Sequence, residues 1–306
     1  MAPQYRSPDS YLPIIVLGSP RSGTSLTARL LTQWGAYGGE LHEHQPADAR
    51  NARGYFEWLP LVNFHMELFQ SIPVTPLHPA FESYLLERSA EARWQTAVTE
   101  LVERIGRNSP CWFWKYPQYA WTLPFWTRVM PDVRYIVCLR EPKAICASMA
   151  PMYIPRDIAP QVQETTILLL LWQHHLTEIL RCAAASDAMM FLSYEELLAA
   201  PGLECGRLAR FLGNPPAPRS YESLTADLVK CVEPDLQTAS ASATASLSGR
   251  QERLWQDLQL KRQDSSVLLD PTEYALQSIE RELLNVVFLL NDYHYRLRES
   301  MKRVVF

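Results

Sequence analysis

The stretch that decides the fold is Ile14–Trp34, which reads IIVLGSPRSGTSLTARLLTQW. It opens with the short apolar run Ile14–Leu17, which ends at Gly18. A run of this length beside Gly and Pro is typical of a buried parallel strand. The loop Ser19–Gly23 follows, and then a segment with the spacing of an amphipathic helix, which Gly35 ends. A strand, a glycine-containing loop and a helix N-terminus direct N–H groups and the positive end of a helix dipole at one point. The stretch therefore predicts an anion site.

The loop is close to the phosphate-binding pattern G-x-x-x-x-G-K-[ST] of nucleoside triphosphatases. Gly18 and Gly23 match the pattern, but Thr24 stands where the lysine would be, and the nearest cation is Arg21 inside the loop. In triphosphatases that lysine reaches the β- and γ-phosphates. The loop is therefore suited to holding a phosphate and poorly suited to transferring a γ-phosphate.

Composition limits the classes of function. The chain has 306 residues, 47% hydrophobic and 20% charged, with a formal net charge of -4. This length suits one large α/β domain over residues 1–306, and the negative charge argues against nucleic-acid binding. The six cysteines form no C-x-x-C pair, which argues against zinc and favours reduced thiols. We find no signal peptide and no apolar stretch long enough to span a membrane, so we expect a cytoplasmic, bacterial-type protein.

Three further apolar runs predict strands: Cys111–Trp114, Val133–Leu139 and Ala188–Leu192. Lys115 follows the first of them and Arg140 follows the second. Ligands of open α/β sheets bind beside the carboxyl ends of the strands, so we expect both cations to face a ligand. A strand that holds Mg²⁺ in a triphosphatase would end in Asp, and the arginine at this place predicts an anion instead.

Two motifs resemble those of sulfotransferases that use 3′-phosphoadenosine-5′-phosphosulfate (PAPS). PRSGTS, residues 20–25, resembles their 5′-phosphosulfate loop, in the arginine form of the bacterial and tyrosylprotein branches. Arg140-Glu141-Pro142, with Ser148 eight residues after the arginine, resembles their 3′-phosphate motif. PAPS differs from ATP in its 3′-phosphate, and a forked guanidinium with a hydroxyl suits that group.

The resemblance implies a central parallel β-sheet flanked by helices, a fold like that of the P-loop NTPases. The implied reaction moves a sulfuryl group from PAPS to a hydroxyl or amine, releases PAP, and needs no metal. Lys115 and Arg21 are the implied catalytic cations, and Tyr194 belongs to a Tyr-Glu-x-Leu element whose tyrosine lies near the adenosine. Arg250 is a candidate for closing over the nucleotide. The full set of expected donor contacts is Arg21, Ser22, Gly23, Thr24, Ser25, Leu26, Arg140, Ser148, Tyr194 and Arg250.

The resemblance also places a catalytic base in the polar loop predicted for residues 36–63. Glu40 stands where the tyrosylprotein branch has its catalytic glutamate, and it is the preferred candidate. The NARGYFEW segment resembles an N-x-x-G-[YF]-[FW]-E element of bacterial members, which makes Glu57 a rival. His42 and His44 are further alternatives. As a metal pair these histidines lack further ligands at a recognisable spacing.

The acceptor is indicated only in outline. Aromatic residues near the candidate site suggest a small molecule, lipid or carbohydrate with an apolar or ring-bearing body: Trp58, Phe64, Phe69, Trp112 and Trp121. An ATP-dependent P-loop kinase for a small molecule is an alternative, opposed by Thr24 and Arg140. A PAP-binding protein without turnover is another. Nothing in the sequence indicates the oligomeric state.

Three peripheral segments complete the predictions. Residues 1–11 are expected to form a loose arm. The Ser/Ala/Thr-rich residues 237–249 are expected to be flexible. Asp270-Pro271-Thr272-Glu273 has the residues of a helix start and predicts a helix over 270–300, with a core-facing stripe that includes Leu276, Ile279 and Val286.

Overall fold

The centre of the fold is a four-stranded parallel sheet in the order β2-β1-β3-β4. The computed structural model describes residues 11–48, 51, 54–153, 164–183, 188–216, 220–232 and 246–289. The strands are β1 (Ile14–Gly18), β2 (Phe113–Lys115), β3 (Arg134–Leu139) and β4 (Met189–Ser193). The predicted α/β class, with a central parallel sheet flanked by helices, is confirmed. The one-domain organisation of the chain stays a prediction.

Helices connect the strands and cover the sheet. They are α1 (Thr24–Trp34), α2 (Leu59–Gln70), α3 (Phe81–Ala90), α4 (Ala92–Gly106), α5 (Tyr119–Val129), α6 (Pro142–Tyr153), α7 (Glu164–Ala183), α8 (Tyr194–Ala199), α9 (Pro201–Leu212), α10 (Tyr221–Lys230) and α11 (Gly249–Gln263). A further helical stretch covers 278–289, and single 3₁₀ turns form at Leu41–Glu43 and Pro271–Tyr274.

Strand β1 is apolar throughout because both of its faces are covered. Ile15 and Leu17 belong to one core cluster, and Ile14 and Val16 belong to the cluster on the other side of the sheet. Successive side chains of a strand point to opposite faces, so a strand packed on both sides needs a continuous apolar run. β1 pairs in parallel with both β2 and β3. The decisive stretch therefore lies inside the sheet.

All four strands deliver candidate residues to one edge of the sheet. The loop that begins at Ser19 follows β1, Lys115 ends β2, Arg140 follows β3 and Tyr194 follows β4. The strands are parallel, so their carboxyl ends lie at the same edge. The topology alone thus places these four sequence positions in one region.

Two predicted loop boundaries are wrong. The loop predicted for 36–63 ends at Trp58, because α2 begins at Leu59 with a proline in its first turn. The segment predicted as flexible, 237–249, ends before Gly249, which is the first residue of α11. There Ser248 and Gln251 form a reciprocal capping box that starts the helix. Residues 237–245 and the arm at 1–10 lie outside the described residues.

The helix predicted for 270–300 is wrong at its start. Asp270 caps the chain as expected, through its side-chain oxygen and the N–H of Thr272, but only one 3₁₀ turn forms. The carbonyl of Tyr274 instead accepts hydrogen bonds from Gln173 Nε2 at 2.7 Å and Thr177 Oγ1 at 3.3 Å. Bonds to α7 thus occupy the carbonyl that a continuing α-helix would use.

The helix resumes over 278–289 with a different buried face. Leu276 and Leu284 are buried, whereas Ile279 and Val286 are exposed. The core-facing stripe predicted for a continuous helix is therefore wrong at Ile279 and Val286. The break over 275–277 changes the helical phase, so the sequence spacing no longer identifies the covered face. Residues 290–300 lie outside the described residues.

Glu204 is a buried carboxylate that joins α9 to α11, and its removal should destabilise the protein. Its side chain is 1% exposed and accepts two hydrogen bonds of 2.8 Å from Arg207 Nη1, and Arg262 Nη1 lies 3.3 Å from Oε1. Glu204→Ala removes the buried carboxylate that both arginines share and leaves them only weaker partners, so we expect the free energy of unfolding to fall by about 2–4 kcal/mol. Urea denaturation measures this loss, with the exposed Glu87→Ala as control. A loss below about 0.5 kcal/mol, the size of an ordinary surface change, would contradict this role.

Candidate active site

The loop after β1 has the tight, partly left-handed backbone that the sequence-based prediction of an anion site requires. Arg21 and Gly23 have φ values of 68° and 99°, in the left-handed region. A Cβ on Gly23 would lie 2.8 Å from a ring carbon of Tyr194, so this position needs glycine for its conformation and for its close approach. Left-handed backbone at a non-glycine residue such as Arg21 is uncommon and concentrates at functional sites.

The two predicted phosphate motifs are in direct contact. Arg21 Nε donates a hydrogen bond of 2.9 Å to Ser148 Oγ, and Arg140 Nη1 donates one of 3.0 Å to the Arg21 carbonyl. The guanidinium of Arg140 also lies 4.5 Å from the ring centroid of Tyr194. The two hydrogen bonds join residues that are 119 and 127 positions apart in the sequence. Together with the contact to Tyr194, they bring Arg21, Arg140, Ser148 and Tyr194 into one cluster.

Tyr194 has a packing role in this cluster. Its ring contacts the guanidinium of Arg140 and lies close to Gly23. The next residue, Glu195, accepts a hydrogen bond of 2.9 Å from the N–H of Glu141 and so fixes the turn after Arg140. No sequence-based prediction covers Glu195, although its place in the Tyr-Glu-x-Leu element was an available signal.

Several buried polar atoms at this edge have no hydrogen-bond partner within the described part of the chain. They are Ser19 Oγ, Ser22 Oγ and Arg140 Nε. Buried polar groups are almost always satisfied, so three unsatisfied donors close together indicate a place for an oxygen-rich anion. The first-turn N–H groups of α1 add further donors. The side chain of Leu26 is buried among core residues, so this residue can offer a ligand only its backbone.

Lys115 and Glu57 form a buried ion pair. The Nζ and Oε1 atoms are 2.6 Å apart, and the side chains are only 2% and 7% exposed. Burial lowers the pKa of Lys115 from its ordinary value, and the carboxylate of Glu57 opposes this shift. Among the four candidate bases, Glu57 is the one that the structure places beside a catalytic candidate.

Glu40 lies in different surroundings. It is exposed and accepts a hydrogen bond of 2.8 Å from the hydroxyl of Tyr37. Burial, together with this bond and the charge of Glu40, raises the pKa of Tyr37 to about 12, so the hydroxyl keeps its proton. Within the described residues no hydrogen bond or ion pair joins Glu40 to Lys115. The geometry therefore favours Glu57 over the preferred sequence candidate.

The two loop histidines are also held apart from the ion pair. His42 is exposed, and His44 contacts the Gly38 carbonyl through Nε2 at 2.9 Å. Across the described ranges, no three His, Cys, Asp or Glu side chains are grouped to hold a metal ion.

Asn51 joins the NARGYFEW segment to the phosphate loop. Its Nδ2 atom donates to Ser25 Oγ at 3.2 Å, and Ser25 Oγ donates to the Tyr55 carbonyl at 3.4 Å. No sequence-based prediction gave Asn51 a role, although it is the first residue of the element that contains Glu57. One short segment thus contacts a donor-site candidate at one end and Lys115 at the other.

Arg250 is engaged with the C-terminal segment. Its Nη1 atom lies 2.8 Å from Glu280 Oε2 and 3.3 Å from the Ala275 carbonyl. A role for Arg250 over the nucleotide would require it to leave these partners, so its assignment is the least supported of the donor contacts.

Comparisons with known proteins give one family. The profile described as "Sulfotransferase family" matches residues 13–218. Solved structures similar to the chain include the sulfotransferase domain from the curacin biosynthetic pathway, at 21% identity and a TM-score of 0.43, covering 90% of this chain and 97% of that one. Sulfotransferase STF9 from Mycobacterium avium matches at 17% identity and a TM-score of 0.46, and the match covers 85% of this chain and 78% of that one. No curated protein matches significantly.

In the described residues, no helix combines the length and apolar character needed to cross a bilayer.

Proposed function

Because this chain belongs to the sulfotransferase family, we propose that it transfers a sulfuryl group from PAPS to a hydroxyl or amine of a small-molecule, lipid or carbohydrate acceptor and releases PAP. The observation that carries the choice of donor is the contact between the two phosphate motifs, Arg21 with Ser148 and Arg140 with the Arg21 carbonyl. ATP has no 3′-phosphate, and a site for ATP would not need the second cationic motif.

The residues at this edge fit such a donor. The unsatisfied Ser22 hydroxyl and Arg140 Nε are buried donors, which suits phosphate oxygens. We propose that Arg21, the α1 N-terminus and the hydroxyls of Thr24 and Ser25 hold the 5′-phosphosulfate. Arg140 and Ser148 then hold the 3′-phosphate, where a guanidinium can form two parallel charge-assisted bonds.

In the proposed transfer, the bond between sulfur and the 5′-phosphate oxygen breaks as sulfur forms a new bond to the oxygen or nitrogen of the acceptor. Lys115 and Arg21 stabilise the charge that develops on the leaving phosphate, as fixed cations do in phosphoryl transfer. Glu57 takes the proton of the acceptor hydroxyl or amine. Glu57 can do so only when Lys115 has turned toward the donor, because the two side chains are paired in this structure.

Calorimetry with PAP and with ATP-Mg²⁺ tests the donor. We expect PAP to bind and ATP-Mg²⁺ to bind at least about tenfold more weakly, since one charge-assisted contact is worth more than that ratio. Tighter binding of ATP-Mg²⁺ would favour the kinase alternative. Screening phenols, alcohols, amines and glycolipids with ³⁵S-labelled PAPS then identifies the acceptor class.

Replacing the base should separate turnover from donor binding. Glu57→Gln keeps the size of the side chain but cannot accept the acceptor's proton. We expect it to lower kcat by about 10²-fold or more while PAP still binds. Transfer of ³⁵S to the acceptor found by screening measures turnover, and calorimetry measures PAP binding.

Glu40→Gln and the exposed Glu67→Gln complete the comparison. If Glu40→Gln lowers kcat by 10²-fold, a typical contribution of a general base, and Glu57→Gln does not, Glu40 is the base. The exposed Glu67, on α2, is the matched control for the substitution itself.

A further inference from the structure

We propose that Asn51 is a positioning residue that acts through Ser25, whose hydroxyl it holds away from the donor. The inference rests on the proposed function, since Ser25 and Lys115 are the residues proposed to contact the donor. Asn51 is bonded to Ser25, and Glu57 is bonded to Lys115. The donor would therefore compete with both ends of one segment.

The first contact occupies the hydroxyl of Ser25. Asn51 donates to the oxygen, and the hydroxyl donates its one hydrogen to the Tyr55 carbonyl. A serine hydroxyl has a single donor, so Ser25 must give up the Tyr55 carbonyl before it can donate to a phosphosulfate oxygen. The Asn51 bond holds the hydroxyl in the orientation that opposes this change.

The second contact occupies both the cation and the base. Glu57 Oε1 lies 2.6 Å from Lys115 Nζ, and both side chains are buried. While Lys115 donates its hydrogen bond to Glu57 Oε1, that oxygen is occupied and cannot contact the acceptor's hydroxyl or amine. When Lys115 moves to the donor's phosphate, Glu57 loses that partner and can accept a proton. The base thus becomes effective after the donor has bound.

The residue that follows Glu57 is firmly attached to the strand that carries Lys115. Trp58 is 3% exposed and stacks on Trp114 with ring centroids 6.3 Å apart. Its Nε1 atom donates to Glu43 Oε2 at 2.8 Å. Phe56, beside Glu57, has a left-handed φ of 54°, which sets the direction in which the next residue leaves. Glu57 is thus followed directly by a residue that is held against the strand that carries Lys115.

Calorimetric titration with PAP of wild type, Asn51→Ala and the exposed control Asn63→Ala tests the proposal. Loss of the competing hydrogen bond should make PAP bind about fivefold more tightly to Asn51→Ala, the change expected for one neutral bond. Asn51→Gln, which can still donate, should return the affinity toward the wild-type value. Thermal unfolding of each variant shows whether it is folded.

A double-mutant cycle distinguishes this role from a structural one. In a Ser25→Ala background, Asn51→Ala should leave PAP affinity unchanged, because the hydroxyl through which Asn51 acts is gone. An Asn51→Ala variant that binds PAP as wild type does, or more weakly, overturns this inference and leaves the proposed function standing. Failure of the wild-type protein to bind PAP overturns the proposed function and this inference together.

Discussion

Lys115→Met is expected to reduce sulfuryl transfer by about 10³-fold, the upper range for removing one fixed transition-state donor. In the wild-type protein the ammonium group of Lys115 is buried at the carboxyl end of β2, where water screens charge poorly. Methionine has a similar length but neither charge nor donor. The loss should appear in kcat, measured with ³⁵S-labelled PAPS and the acceptor found by screening.

Removing Lys115 also leaves the carboxylate of Glu57 buried without its ion-pair partner. Breaking a buried pair on one side costs about 3–5 kcal/mol of stability, so the single variant should also unfold more easily. The double variant Lys115→Met with Glu57→Gln removes the stranded charge and should recover much of that stability while remaining inactive. Recovery of transfer in the double variant would contradict the catalytic role of Lys115.

Lys115→Arg is the matched control for charge. Arginine keeps the positive charge but replaces a compact ammonium with a planar fork, and the two are not interchangeable at a buried site. We expect this variant to retain more transfer than Lys115→Met. Equal activity of the two variants would show that the charge at this position is unimportant.

Local sequence signals predicted the parts of the site that depend on neighbouring residues. The apolar run, the loop with Gly18 and Gly23 and the helix ending at Gly35 were all readable, because each is decided by backbone conformation within a few residues. Parallel strand order then brings Lys115 and Arg140 to the same edge of the sheet. Nothing beyond periodicity and strand-end chemistry is required for that step.

Long-range contacts explain where sequence reasoning stopped. Glu40 and Glu57 lie in one polar stretch, and local chemistry does not tell which one reaches Lys115, 58 residues from Glu57. The prediction of one continuous C-terminal helix failed for the same reason. The local start signal at Asp270 is satisfied, but Gln173 and Thr177 donate to the carbonyl of Tyr274 four residues later. Where tertiary hydrogen bonds override local helix propensity, the spacing of residues in the sequence does not show it.

The second large effect is expected for Arg140→Ala, which should weaken PAP binding by about 10²–10³-fold, as truncation of a buried charge partner does. Adenosine 5′-phosphosulfate, which lacks the 3′-phosphate, should lose much less affinity. Arg140 is only 7% exposed, and its Nε atom has no partner in the described part of the chain. A 3′-phosphate would satisfy this atom.

Comparing the two ligands is necessary because Arg140 also supports the loop. Its Nη1 atom bonds the Arg21 carbonyl and its guanidinium lies on Tyr194, so the alanine variant disturbs the 5′ side as well. That disturbance lowers the affinity for both ligands, whereas loss of a 3′-phosphate contact lowers it for PAP alone. The ratio of the two losses, measured by calorimetry beside the exposed Arg93→Ala control, isolates the 3′ contact. Equal losses for PAP and adenosine 5′-phosphosulfate would reduce Arg140 to a support for the loop and remove the main reason for assigning PAPS as the donor.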